Sequence, residues 1–195
     1  RLEEKETIGR SFSEIYGLND IVIEIGITPN RQDCLGVKGI ARDLASAGMG
    51  ELLERKISKE KGSFKSPIKI EIQDNKICSA FAGRYFRNVK NTESPEWLKN
   101  KLKSIGLRPI SALVDITNFV MYDENRPLHV YDADKIDGKI IVRTANDGES
   151  FLALDEKDYH LKNGMCVIAD EKKVLGLGGI MGGESTGCTT ETKNV

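Results

Sequence analysis

Regular spacing of apolar residues predicts the first structural elements of the chain. Isoleucines occupy alternate positions over Ile21–Ile27, with Val22 and Glu24 between them, which predicts a strand, and residues 28–31 are predicted to turn after it. Apolar residues then recur at helical spacing from Val37 to Ala45, and Gly48 follows at the position where a helix commonly ends. The first quarter of the chain is therefore predicted to be a strand followed by a helix.

The middle and the end of the chain show both periods. A stripe containing Trp97, Leu98, Leu102 and Ile105 predicts a helix that starts with a serine cap at Ser94. A second helix spans residues 110–121. Short apolar runs parted by polar turns predict strands at 68–72, 80–89, 139–144, 149–154, 159–161, 165–169 and 174–177.

This order of elements predicts an α+β fold with mixed or antiparallel sheets and a few packed helices. Residues 1–19 are polar and are predicted to be an approach segment from a preceding domain. Residues 20–66 form the strand–helix unit and a charged connector, and residues 67–195 form the main module.

Composition restricts the classes of function. The 195 residues carry 29 Lys and Arg against 30 Asp and Glu, which argues against a basic coat protein for nucleic acid. No apolar run approaches the ~20 residues that a bilayer requires, so we expect no membrane partner. The cysteine usage favours a reducing, cytoplasmic location. The four cysteines and two histidines lack zinc-site spacing, so we expect no metal site.

A glycine cluster occupies residues 176–183. Its spacing fails both the dinucleotide-binding pattern and the phosphate-loop pattern. What remains is a strand end where the backbone turns sharply or approaches another group closely. A tight structural turn and a pocket floor with exposed amide donors both stay open.

A second candidate is the segment 125–132, directly after the predicted helix. His129 follows Pro127, so its backbone is restrained, and a polar helix face with Asp115 and Asn118 lies just upstream. The spacing allows Asn118 and His129 to converge. A single histidine is more often structural than catalytic, and both roles stay open.

A third candidate is the basic surface around Trp97. It comprises Lys99, Lys101, Lys103 and Arg108. A charged helix face is usually solvated, and contact with nucleic acid is the alternative.

Taken in order, several strings resemble the central, editing module of the beta subunit of bacterial phenylalanine–tRNA ligase. They are EIGITPNRQDCLG (24–36), GIARDL (39–44), LRPISALVDITNFVM (107–121), PLHVYDADK (127–135) and GGIMGGESTG (178–187). The resemblance runs from about residue 21 to residue 195. It implies the layered β/α sandwich of that module.

The resemblance also implies an activity and partners. The family enzyme attaches phenylalanine to tRNA(Phe) with ATP and Mg²⁺, as two alpha and two beta subunits. The module hydrolyses tyrosine wrongly attached to that tRNA, which it meets at the acceptor end. A phenylalanine pocket rejects an added hydroxyl only about a hundredfold, so a second, hydrolytic sieve is useful. We expect a positioned water, no covalent intermediate and no cofactor held by this chain.

Site residues follow from the same motifs by analogy. His129 and Asn118 are expected to bind the aminoacyl ester and order the water, and Arg108 is expected to meet the tRNA terminus. Pro127, Gly179 and Gly182 complete the expected pocket wall. The family's glutamate that binds the tyrosine hydroxyl is expected past Val195, so the module is expected to be incomplete here. The alternatives are a non-catalytic structural or tRNA-binding module and a free-standing editing factor.

Overall fold

The computed structural model describes residues 8–195, so residues 1–7 of the predicted approach segment lie outside the described part. The chain divides into two compact units. The first comprises Arg1–Leu53 and Thr92–Leu128, and the second comprises Glu54–Asn91 and His129–Val195.

Among the described residues, the α-helices belong to the first unit. They are α1 (Phe12–Ile15), α2 (Val37–Ser46), α3 (Glu96–Ser104) and α4 (Ala112–Glu124), with a 3₁₀ turn at Gln32–Cys34. Helix α4 ends at Asn125, whose φ of 53° is the left-handed conformation that commonly terminates helices. Helix α4 packs against both α2 and α3, so it is the centre of this unit.

The helix α3 packs differently from its predicted pattern. Leu98 and Leu102 are buried as expected, but Trp97 is 58% exposed and lies edge-to-face on Phe119 of α4. The predicted serine cap is wrong, because Pro95 occupies the N-cap position and no side chain caps the helix. The Ser94 hydroxyl bonds a carboxylate of α4 instead.

The strands of the described residues belong to the second unit. They are β1 (Ile70–Ile72), β2 (Ile140–Thr144), β3 (Ser150–Leu152), β4 (Asp158–His160), β5 (Cys166–Ala169), β6 (Val174–Leu177) and β7 (Met181–Gly182), with 3₁₀ turns at Ala133–Lys135 and Glu184–Thr186. One sheet has the order β1-β2-β5-β6-β7, and β3 pairs with β4 in a small second sheet. Only β1 and β2 run parallel among these pairs, so the sheet is mixed. The predicted α+β class is confirmed.

The core of the second unit gathers apolar side chains from these strands and from residues next to them. Burial alternates in β3 and β5, as expected for a pleated strand, whereas β2 and β6 each bury three successive residues. The buried members of the core are Ala145, Phe151, Ala153, Leu161, Val167 and Val174. Tyr159, Leu177 and Met181 cover its edge. Because Leu177 and Met181 flank the glycine turn, this core anchors the hairpin that carries the glycine cluster.

Two predicted strands are wrong. Residues 21–27 form no ladder with any described residue, and Ile21 is 87% exposed. Residues 80–89 are not a strand either, although Phe86 exchanges two backbone hydrogen bonds with Val195 at 2.7 and 2.9 Å. The first segment lacks a pairing partner, and the second makes too few pairs for a ladder.

Candidate functional site

The glycine cluster forms a tight β-hairpin. Strands β6 and β7 pair Gly176 with Gly182, and Leu177 with Met181. Gly179 lies in the turn with a φ of +73°, a conformation that L side chains rarely adopt. The predicted sharp turn is therefore confirmed, and close approach occurs separately at Gly182.

Gly182 leaves room for the imidazole of His129. A Cβ at Gly182 would lie 2.1 Å from Cε1 of His129 and 2.9 Å from its Nε2. Any side chain larger than hydrogen there would displace the ring. The structure thus brings together two of the predicted site residues, which lie far apart in the sequence.

His129 has its ring edge-on to Tyr131, with centroids 4.4 Å apart and an interplanar angle of 61°. Burial against these neighbours lowers the pKa of His129 from its usual 6.5, although more than a third of the residue's surface stays open to solvent. Burial also raises the pKa of Tyr131 to about 12. The imidazole makes no hydrogen bond to any residue from 8 to 195. At neutral pH it is an uncharged, accessible base.

A buried carboxylate holds the segment that carries His129. Asp132 accepts a 2.7 Å hydrogen bond from the hydroxyl of Thr192, and its own backbone N–H donates to the carbonyl of Thr186 at 2.8 Å. Both side chains of the Asp132–Thr192 pair are nearly inaccessible to solvent. Sequence reasoning assigned no role to Asp132, although the quoted motif contains it. A carboxylate three residues past a candidate histidine is the signal that could have found it.

The other predicted site residues lie in the first unit. Arg108 is exposed in the loop between α3 and α4, Asn118 is half-buried on α4, and Pro127 is exposed just after that helix. Neither the guanidinium of Arg108 nor the amide of Asn118 has a hydrogen-bond or ion-pair partner within the described residues. Both polar ends are therefore available to an external ligand.

Asp115, predicted on a polar face of this helix together with Asn118, is buried. Its side chain is 0% exposed, and its carboxylate accepts hydrogen bonds from the Ser94 hydroxyl at 2.5 Å and from the Ile110 N–H at 2.9 Å. The carboxylate is satisfied inside the protein, so Asp115 supports structure rather than facing solvent.

Two of the four cations of the basic surface are paired with acidic residues of this chain. Lys99 contacts Glu93 at 2.8 Å and Glu96 at 3.0 Å, and Lys101 contacts Asp20 at 3.0 Å. Hydrogen bonding to Lys99 lowers the pKa of Glu93. These acidic partners weaken the field that this helix could offer to a phosphate backbone.

Residues 8–195 contain no group of three His, Cys, Asp or Glu side chains that could hold a metal ion. The four cysteines are unpaired in this structure. Within the same described part, no helix has the length and apolar character needed to cross a bilayer.

Comparison with known proteins gives consistent matches. The family model described as "B3/4 domain" matches residues 77–195. The chain is 55% identical over 188 residues, 96% of its length, to the phenylalanine–tRNA ligase beta subunit of Bradyrhizobium diazoefficiens, and 52% identical over 197 residues to that of Brucella melitensis. It spans 23% and 24% of the length of these two relatives. These matches confirm the resemblance drawn from the sequence motifs.

One solved structure is more distant. It is an N-terminal fragment of the phenylalanyl-tRNA synthetase beta subunit from Pyrococcus horikoshii, with a TM-score of 0.46 and 22% identity. The match covers 85% of this chain and 51% of that chain. A match with this TM-score and identity does not indicate a function.

Proposed function

Because the chain belongs to the B3/4 domain family, we propose that it is part of a phenylalanine–tRNA ligase beta subunit and hydrolyses tyrosine wrongly attached to tRNA(Phe). Similarity to the curated beta subunits over almost the whole chain supports the first half of this proposal. The packing of His129 on Gly182 supports the second half.

The contact between His129 and Gly182 is the observation that carries the hydrolytic role. Ester hydrolysis needs a water molecule held beside the carbonyl carbon and a group that accepts its proton. His129 offers an uncharged ring nitrogen at neutral pH, because its pKa is lowered, and its ring packs against Gly182 and Tyr131. We assign the orientation of the attacking water to this imidazole.

Free polar groups of the first unit support two further roles. The amide of Asn118 is proposed to bind the aminoacyl ester, for which it offers both a donor and an acceptor. The guanidinium of Arg108 is proposed to bind the ribose or phosphate of the tRNA terminus, which its planar donor set suits. Pro127 is proposed to restrain the pocket wall, and the exposed Gly179 to present backbone next to the ligand.

Selectivity for tyrosine has a physical rationale. An aminoacylation pocket shaped for phenylalanine discriminates against tyrosine only by about a hundredfold. A hydrolytic pocket that hydrogen-bonds this hydroxyl leaves its own polar group unpaired when phenylalanine enters, which discriminates far more strongly. A hydrolytic site of this kind therefore removes the tyrosine that the aminoacylation site fails to exclude.

The remaining proposals concern the whole enzyme. An alpha subunit is the proposed partner in an assembly of two alpha and two beta subunits, and the acceptor end of tRNA(Phe) is the proposed nucleic-acid ligand. ATP and Mg²⁺ are proposed to serve the aminoacylation reaction, and the enzyme is proposed to work in the cytoplasm. The residues proposed to position the water and to bind the ester belong to this chain.

The test is the hydrolysis of tyrosyl-tRNA(Phe) by the assembled enzyme and its variants. We expect His129→Ala and Asn118→Ala each to slow hydrolysis by about 100-fold or more, in the range found when one positioning or acid–base group is removed. His160→Ala is the matched control, because it removes the other histidine, which is exposed on β4. We expect the control to hydrolyse at the wild-type rate.

The possible outcomes separate the candidate functions. A wild-type enzyme that does not hydrolyse tyrosyl-tRNA(Phe) would leave the structural or tRNA-binding module as the better description. Hydrolysis at the wild-type rate by both variants would show that the reaction occurs without these two residues.

A further inference from the structure

The buried carboxylate of Asp115 connects three parts of the first unit. Asp115 lies in the first turn of α4 and is 0% exposed. One carboxylate oxygen accepts the hydroxyl of Ser94, which precedes α3, and the other accepts the backbone N–H of Ile110. This one side chain therefore fixes the start of α3 and the loop before α4 to the α4 helix.

The loop held in this way carries Arg108. At its start, the N–H of Leu107 donates to the carbonyl of Leu102 at 2.9 Å, and near its end the Ile110 N–H donates to Asp115. Pro109 restricts the backbone of Arg108 to extended conformations. The Arg108 backbone is thus restrained on both sides, while its guanidinium is exposed and has no partner within residues 8–195.

The same carboxylate lies one helical turn before Asn118. The backbone between these two residues is held by the hydrogen bonds of the helix itself, so we do not expect loss of the Asp115 carboxylate to move Asn118. The loop before α4 depends on Asp115, because the Asp115 carboxylate is the acceptor that the structure gives for the Ile110 N–H.

We propose that Asp115, held by Ser94, is a positioning residue that sets the Arg108 loop for binding the tRNA terminus. This inference rests on the proposed hydrolytic function. Asp115 does not touch the ligand in this account. It holds the backbone at Ile110, and the position of this backbone determines the direction of the Arg108 side chain.

A purely structural role would give a different result in a double-mutant cycle. If Asp115 acts through Arg108, its removal has no further effect on substrate binding once the Arg108 side chain is gone. If it only stabilises the fold, the effects of the two substitutions on KM add. The cycle therefore separates positioning from general stability.

The experiment measures KM and kcat for hydrolysis of tyrosyl-tRNA(Phe) by the assembled enzyme. We expect Asp115→Ala to raise KM about tenfold, the scale of one misplaced charged hydrogen bond, with kcat within about threefold. In the Arg108→Ala background, we expect Asp115→Ala to leave KM unchanged. Asp115→Asn is expected to restore a KM near the wild-type value, because its amide can accept from Ile110 and donate to Ser94.

Two further variants keep the test decisive. If Asp115→Ala fails to fold, Ser94→Ala replaces it in the same cycle. We expect its KM to rise by about threefold, because the Asp115 carboxylate then loses only the hydrogen bond from Ser94. Asp158→Ala is the control, since Asp158 is an exposed aspartate on β4, and its KM should match the wild type.

Additive effects of the Asp115 and Arg108 substitutions on KM would overturn the inference, as would an unchanged KM in both Asp115→Ala and Ser94→Ala. A wild-type enzyme without hydrolytic activity would overturn the proposed function, and this inference with it. The activity of the wild-type enzyme tests the proposed function, and the double-mutant cycle tests the role of Asp115. The two measurements therefore show which of the two proposals has failed.

Discussion

Replacing Gly182 with alanine perturbs the candidate site at its closest contact. The added Cβ would lie 2.1 Å from Cε1 of His129, whereas ordinary contacts begin at 3.4 Å. The imidazole must therefore move by about 1.3 Å, because the strand that carries Gly182 is paired to β6. Gly182 does not have a left-handed φ, so no backbone strain is added.

Both the activity and the stability should respond, to different extents. A displacement of about 1 Å in a catalytic group can cost about 100-fold in rate, so we expect hydrolysis of tyrosyl-tRNA(Phe) to fall by about that factor. The His129 ring is partly exposed and can swing away, so the free energy of unfolding should fall by only about 1–3 kcal/mol. Single-turnover hydrolysis and thermal unfolding measure the two quantities.

Controls assign the effect to the collision. Gly62→Ala adds the same methyl group where the nearest other atom is 3.8 Å away, and we expect hydrolysis to be unchanged. Combining Gly182→Ala with His129→Ala should give the rate of His129→Ala alone, because no ring remains to be displaced. Hydrolysis by Gly182→Ala within about threefold of the wild-type rate would refute the reasoning.

Three further predictions concern pH and packing. Burial lowers the pKa of His129 below its usual 6.5, so the rate of hydrolysis should fall as the pH decreases through a midpoint below 6.5. A midpoint above 6.5 in the pH–rate profile would contradict this. A hydrogen bond from Arg143 lowers the pKa of Glu149 to about 2. The stability that this ion pair contributes is present above pH 4.5 and is lost as the pH falls toward 2. Glu149→Gln should therefore lose less stability than the wild type over this pH range. Identical acid-unfolding curves for the two proteins would contradict this. Gly39→Ala would place Cβ 1.7 Å from the backbone oxygen of Asp33, so we expect about 3 kcal/mol of destabilisation in thermal unfolding, and an unchanged midpoint would be inconsistent with this packing.

Local signals predicted much of the fold. The helix over residues 110–121 and the strands from residue 139 onward were predictable because each has a clear period and turn residues at its ends. The alternation at Ile21–Ile27 has the same period but does not form a strand, because a strand needs a partner as well as a pattern. The backbone bonds between Phe86 and Val195 join distant residues, which local periodicity cannot indicate.

The candidate site was predictable as a set of motifs but not as a geometry. The glycine spacing indicated a turn or a close approach, yet only the pairing register shows that Gly182, rather than Gly179, faces His129. The sequence places Asp115 on a polar face of the helix together with Asn118. It is buried because Ser94 and the Ile110 N–H satisfy its carboxylate, and the sequence alone does not reveal those partners.

The measurement that tests the central claim most directly is a crystal structure of the chain with a non-hydrolysable amide analogue of the tyrosyl-adenosine ester. The account predicts that the amide carbonyl of the analogue lies next to the imidazole of His129 and the backbone of Gly182. An analogue bound elsewhere on the chain, with the His129 ring uncontacted, would contradict it.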